Sequence, residues 1–299
     1  MNTNRRRLCN RPTVHPVTLW PTGPRNRATT RRSGFVALLA LSLLALPLPG
    51  CDSFDGEADP VWTLVWSDEF DGPAGQLPNS SNWTFDIGTD WGNNQLEYDT
   101  DRPENVSLDG NGNLAITARE ESYMGSAYTS GRIKTQGLFE QAYGRFEARI
   151  QLPTGQGIWP AFWMLGNDIG TVGWPECGEI DIMEYRGQEP SIILGTIHGP
   201  GYSGGGGVGN RYALTGDRFD TGFHEFAIEW TESGIVWFVD GQRYHAVDPG
   251  DPDGRWVFDH PFFILLNVAV GGGFVGPPNE STTFPQTMLV DWVRVYRNE

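Results

Sequence analysis

Gly178-Glu179-Ile180-Asp181-Ile182-Met183-Glu184-Tyr185 is the stretch on which the reading of this chain turns. Side chains alternate faces along a strand, so Glu179 and Asp181 share one face while Ile180 and Ile182 share the other. The isoleucines are expected in a core and the acids on the surface opposite. A regular strand would turn Glu184 inward, and an unpaired charge there would be costly. A β-bulge near Met183 removes the conflict by adding one residue, which returns Glu184 to the acidic face. Three crowded carboxyls repel one another, so at least one keeps its proton near neutral pH while another ionises. Glycoside hydrolysis needs that division, with the carboxyls about 5–5.5 Å apart in retaining enzymes. The same pattern also describes a solvated acidic strand face or a calcium-binding surface.

Outward from this segment the chain keeps the same texture. Runs rich in Val, Ile, Phe, Trp and Tyr alternate with polar residues and are punctuated by Gly, Pro, Asn and Asp. Trp62–Trp66, Leu114–Ala118, Gly144–Gln151, Gly157–Leu165, Glu225–Trp230, Ile235–Val239, Phe262–Val268 and Met288–Tyr296 are expected strands. No segment reads as a convincing helix, and the expected class is all-β, a sandwich or barrel in one domain over 60–299. Tyr202-Ser-Gly-Gly-Gly-Gly-Val-Gly209 reads as a flexible flap beside a cleft. It lacks the strand-to-helix context and Lys of a phosphate loop.

The first fifty residues differ in kind. They hold no acid and eight arginines, then an apolar run from Phe35 to Leu46 too short to span a bilayer. Residues 1–50 are therefore expected to be an export signal. The first thirty residues are longer than a usual basic n-region, which leaves open a start codon inside them. Leu48-Pro49-Gly50-Cys51 resembles a lipoprotein box, with Pro49 an unusual occupant and Cys51 the expected lipidation site. Thr30-Arg31-Arg32 is a loose twin-arginine match, and a plain cleaved secretory signal is the alternative. Either way the expected location is extracytoplasmic, with the membrane reached only through a lipid anchor. Residues 51–59 read as a polar tether. Cys9 and Cys51 fall in this region, so Cys177 stands alone in the body and no internal disulfide is expected. Without the eight leader arginines, 13 of the 21 basic residues remain against all 37 acidic ones, a formal charge of −24. That excludes a nucleic-acid partner and anionic polysaccharides, and suits a neutral polymer.

Glu179-Ile-Asp-Ile-Met-Glu184, preceded by Trp174-Pro-Glu-Cys-Gly178, resembles the signature of glycoside hydrolase family 16 in the bulged E-x-D-x-x-E form of bacterial laminarinases. The resemblance runs from Trp66-Ser-Asp-Glu-Phe70 to Val290-Asp-Trp-Val-Arg-Val-Tyr296. Between them lie Ser130-Gly-Arg-Ile133, Gly157-Ile-Trp-Pro-Ala-Phe-Trp-Met-Leu165 and Leu265-Leu-Asn-Val-Ala-Val-Gly-Gly272. It implies a β-jelly-roll sandwich of two curved antiparallel sheets with a concave cleft. It further implies a retaining endo-β-1,3-glucanase with Glu179 as nucleophile, Glu184 as acid/base and Asp181 hydrogen-bonded to Glu179; a monomer is assumed. No cofactor enters the chemistry. A β-1,3-1,4-glucanase, a transglycosylase and a non-catalytic glucan-binding module are the rivals, and the intact triad counts against the last. An agarase is disfavoured by the Trp-Pro-x-Cys-Gly context.

The resemblance also singles out binding residues. Sugar rings stack on aromatics, and Trp159 and Trp174 match subsite platforms. Trp163, Trp230, Trp237 and Trp292 are expected in core or sheet packing. Asn93, in Trp91-Gly-Asn-Asn-Gln95, matches a hydroxyl ligand, its plainer reading being a Gly-Asn turn. Arg132 matches an arginine that reaches the sugar beside the nucleophile, or else serves as electrostatic glue for the carboxylates. Asn267 is a candidate hydroxyl ligand or a satisfier of backbone groups. His198 is balanced between the cleft and a structural place, while His224 and His245 read as structural. A structural calcium on the convex side would take backbone carbonyls of Glu69 and Gly112 and the carboxylate of Asp291. Asp291 could equally be a solvated strand residue.

Overall fold

The computed structural model describes residues 60–299; the expected export signal, the lipidation site Cys51 and the polar tether lie outside the described residues. All eight expected strands form, most of them a residue or more longer, as does the strand after the acidic one that was expected to carry His198, and among the described residues the single α-helical turn is Ile169–Val172. The missed strands, among them Arg132–Lys134, Val208–Ala213 and Gln242–Val247, are short, broken by glycine or partly exposed. Their alternation is too brief to read locally.

The strands build two stacked sheets. The cleft sheet has seven, in spatial order Val208–Ala213, Ile192–His198, Glu179–Tyr185, Ile158–Gly166, Phe262–Val270, Arg132–Lys134 and Thr84–Phe85. The outer sheet is centred on Gly144–Gln151, His224–Thr231 and Gln286–Asn298. Neighbours are antiparallel throughout, except that Glu97–Asp99 lies parallel to Ser126–Ser130. This is the expected all-β jelly-roll sandwich.

Alternation decides what each sheet buries. In Gly144–Gln151 the residues Phe146, Ala148 and Ile150 enter the core. Their neighbours Arg145, Glu147 and Arg149 face outward, and Arg145 pairs with Glu147 at 2.8 Å and Glu229 at 2.9 Å. Phe262–Val270 is buried at every position, because one of its faces is core and the other is cleft floor. Trp230 and Trp237 lie fully buried in the core, as expected. Trp292 is buried on the outer sheet, its ring covered by the Arg294 guanidinium at 4.2 Å.

Phe146 touches the Trp230 ring at the centre of this core. Phe146→Ala should lower stability by about 3–5 kcal/mol, measured by denaturant unfolding.

Candidate active site

The acidic strand lies mid-sheet, and its register carries the expected bulge. Asp181 pairs with Thr196 and Glu184 with Leu194, so Ile182 and Met183 together face the single residue Gly195. The partner strand on the other side slips at the same place, between Asp181 and Met183. Ile180, Ile182 and Met183 all enter the core, whereas Glu179, Asp181 and Glu184 line an open cleft of about 770 Å³. The extra residue does what the charge argument required.

Each acid has its own partner. Trp174 Nε1 donates to Glu179 Oε2 at 2.8 Å, and Trp159 Nε1 donates to Glu184 Oε1 at 3.1 Å. Glu179 and Asp181 hydrogen-bond to each other through their side chains. His198 Nε2 lies 3.2 Å from Asp181 Oδ2 and 3.8 Å from Glu179 Oε1. The histidine thus faces the acids. Burial, joined by the charge of Asp181, pushes Glu179 up to about 8. Burial and the charge of Glu179 push Glu184 up to about 7. Asp181 is the deepest of the three, and burial with the Glu184 charge holds it well above the usual carboxylate range. The cluster therefore keeps at least one proton at neutral pH.

The aromatic walls differ from expectation in detail. Trp174 is 46% exposed at the rim, whereas Trp159 is only 8% exposed, braced by Phe274 with ring centroids 4.9 Å apart. Trp163, expected in core or sheet packing, packs on the Leu165 and Leu265 side of its sheet and also lines the cleft, donating from Nε1 to Asn267 Oδ1 at 2.8 Å. Its strand is two-sided, so a residue off the core face falls on the cleft floor. Asn267 therefore bonds a side chain rather than the backbone. Arg132 also lines the cleft, but its Nε binds Asp86 Oδ2 at 2.9 Å and its guanidinium lies over the rings of Trp91 and Trp163. It is not glue for the three acids, because Asp86 already holds it. Asn93 lines the cleft and also forms the turn, with φ 55 in the left-handed region that Asn tolerates. Its carbonyl accepts the Gly273 N–H at 2.7 Å.

The glycine-rich segment is only partly a flap. Tyr202 is buried and donates to the Arg255 carbonyl at 2.9 Å, so that end is anchored. Gly204, Gly205 and Gly207 line the cleft. A Cβ on Gly207 would stand 2.4 Å from the His198 ring, so bare backbone is needed there. Sequence reasoning missed Asp86, Trp91, Phe274 and Arg186. Trp91 shares a motif with Asn93 and could have been found; Arg186, whose guanidinium covers Phe274 at 4.1 Å, carried no local signal. Also unforeseen are Glu97 and Asp99, buried carboxyls below the Asn93 segment. Glu97 Oε2 accepts the Val270 N–H at 2.7 Å, and burial pushes this acid up to about 7.

The positions matched to calcium converge on one rim of the outer sheet. Asp68 pairs with Val293 and Leu114 with Val290, which brings Glu69, Gly112 and Asp291 alongside. Asp291 is not a free surface acid: its carboxylate is bound by Arg149, and Glu69 is bound by Arg294 at 2.7 and 3.0 Å. Of His224 and His245, the first is paired with Asp240 at 2.8 Å and the second packs on Trp237, both away from the cleft.

Three carboxyls with raised proton affinity, set among indoles on the floor of an open groove in a β-sandwich, define a glycoside hydrolase. Residues 87–294 match the family described as glycosyl hydrolases family 16, and the chain belongs to that family. A beta-glucanase of Rhodothermus marinus is 42% identical over 272 residues, spanning 87% of this chain and 93% of the relative. The structure of the catalytic domain of an endo-1,3-beta-glucanase (laminarinase) from Thermotoga petrophila is 49% identical with a TM-score of 0.76, covering 81% of this chain and 100% of that one. The endo-beta-1,3-glucanase of Pyrococcus furiosus is 46% identical with a TM-score of 0.75, covering 80% and 95%.

Because the charge of Glu179 raises the proton affinity of Glu184, Glu179→Gln should lower the Glu184 pKa below about 7. Carbon-13 NMR of labelled glutamate carboxyls reads the shift; an unchanged value would mean that the two acids do not feel each other.

Proposed function

We propose that this protein is a retaining endo-β-1,3-glucanase. The observation that carries the reading is the bulge that sets Glu179, Asp181 and Glu184 together in an open, indole-lined groove. An open groove suits attack within a polymer, and indole faces suit the C–H faces of neutral sugar rings. The two solved relatives described above are named for action on β-1,3-glucan, which supports the same substrate here.

In this reading the carboxylate of Glu179 attacks the anomeric carbon while the carboxylic acid of Glu184 gives its proton to the departing glycosidic oxygen. A glycosyl ester on Glu179 results. Glu184, now ionised, takes a proton from water, the hydroxide adds to the anomeric carbon, and Glu179 leaves as carboxylate. Water is the only co-reactant. The Asp181 side chain is 4% exposed against 18% for Glu179, so charge is costlier on Asp181. With the proton held on Asp181, the more buried of the pair, the Asp181 charge that raises Glu179 would be gone, and Asp181 would donate toward an ionised Glu179. Asn93, Arg132, Trp159, Trp174, His198 and Asn267 are the proposed sugar-binding set.

The basic, acid-free leader with its apolar run and Cys51 supports placing the enzyme outside the cytoplasm, free or lipid-anchored. A monomeric form is part of the same proposal. Calcium is proposed as structural only: the strand register brings Glu69, Gly112 and Asp291 to neighbouring positions at one rim, and an ion there would take the place of Arg149 beside Asp291.

Glu179→Gln and Glu184→Gln should each cut laminarin turnover by at least a thousandfold, roughly the scale of losing a central acid or nucleophile, with the fold intact by circular dichroism. Proton NMR of early products should show retained β configuration. Near wild-type rates in either variant would sink the assignment. Cleavage of lichenan with laminarin spared would instead shift the substrate to mixed-linkage glucan.

Adding millimolar calcium should raise the melting temperature, and Asp291→Asn should abolish the rise. No change on calcium addition would leave Asp291 to Arg149 alone.

A further inference from the structure

The bulge that brings Glu184 into the cleft is tied to the far sheet by one side chain. Trp237, on the outer-sheet strand Gly234–Val239, is fully buried, and its indole N–H crosses the sandwich to the backbone carbonyl of Asp181 at 2.8 Å. Asp181 is the residue at which the register breaks on both flanks. A bulge disrupts the ladder where it sits, and a buried carbonyl there needs a donor from elsewhere. Trp237 supplies it.

Space for that reach is provided from the other side. Gly195 is the single residue facing the bulged pair Ile182 and Met183. A Cβ on Gly195 would lie 2.4 Å from Trp237 Cδ1 and 2.4 Å from the Tyr244 hydroxyl. The outer sheet is itself irregular here: Trp237 pairs with His245 and Phe238 with Arg243, so Tyr244 is an extra residue. Two register breaks, one per sheet, meet across the core at a glycine and an indole.

Resting on the glucanase reading above, we infer that Trp237 is a positioning residue for the catalytic carboxylates: its hydrogen bond to the Asp181 carbonyl, admitted by Gly195, holds the bulge and so the placement of Glu184 relative to Glu179. Trp237 touches no substrate. It acts through the backbone between the two glutamates, so its loss should slow chemistry while leaving sugar binding on Trp159, Trp174 and Asn93 in place. Small misplacements of reacting groups cost on the order of a hundredfold when they reach 1 Å.

The test compares three proteins on a laminari-oligosaccharide of fixed length. Trp237→Phe removes the N–H and part of the ring. Replacement of Trp237 by benzothienylalanine, with sulfur in place of the N–H, keeps the bicyclic shape and decides the matter if the phenylalanine variant does not fold. Trp230→Phe is the control, because Trp230 is an equally buried core indole whose N–H serves the Phe258 carbonyl at 3.2 Å rather than the bulged strand. Expected is a fall in kcat of roughly tenfold or more with KM within about twofold for both Trp237 replacements, while Trp230→Phe loses melting temperature but keeps kcat. The inference is overturned if the Trp237 replacements keep kcat within about twofold of wild type, or if Trp230→Phe loses as much. Wild-type cleavage of laminarin is read first. An inactive wild type overturns the glucanase reading with this inference, whereas an active wild type with unaffected Trp237 replacements overturns the inference alone.

Discussion

Placing three carboxyls on one buried strand face is the constraint around which this molecule is arranged. Desolvation makes each charge expensive, so each acid must be given a donor or a proton. Two indole N–H groups serve Glu179 and Glu184, and Asp181 shares a hydrogen bond with Glu179 with His198 beside it. The consequence is chemical: the groups hold protons at a pH where free carboxylates would not. Structural partners and reactivity therefore have one origin.

The same constraint shapes the packing behind the cleft. A regular strand could carry Glu179 and Asp181 outward but would send Glu184 into Ile180's company. The bulge resolves this at the cost of a broken ladder, and the core answers with Trp237 from the opposite sheet. Gly195 and Gly207 are needed for related reasons. One leaves room for the indole and the Tyr244 hydroxyl, the other for the His198 ring. The outer face meets a different demand, and its acids are paired with Arg145, Arg149 and Arg294.

The strong negative charge of the body coexists with a cleft that carries Arg132 and Arg186 among its walls. Asp86 holds the first and Phe274 supports the second, so these guanidiniums are oriented before any substrate arrives. Neutral sugar hydroxyls need such fixed donors and flat apolar surfaces rather than net charge.

Much of this was legible in one dimension. Alternation announced the strands that are long and one-sided, and the five-residue step from Glu179 to Glu184 announced the bulge, because charge and periodicity are local properties. Short strands such as Arg132–Lys134 and glycine-broken ones such as Val208–Ala213 were not announced, since three or four residues hold too little periodicity. The cleft place of Trp163 is not legible locally, because a strand buried on both faces does not reveal which face is cleft. The Asp86–Arg132 pair, the Trp237–Asp181 bond and the Glu97–Asp99 pair depend on residues far apart in sequence or on burial no local pattern records. Strand class, the acidic motif and its spacing follow from the order of residues alone. Which distant donors meet those acids follows from the folded packing, because desolvation and hydrogen bonding are set by what lies nearby in space.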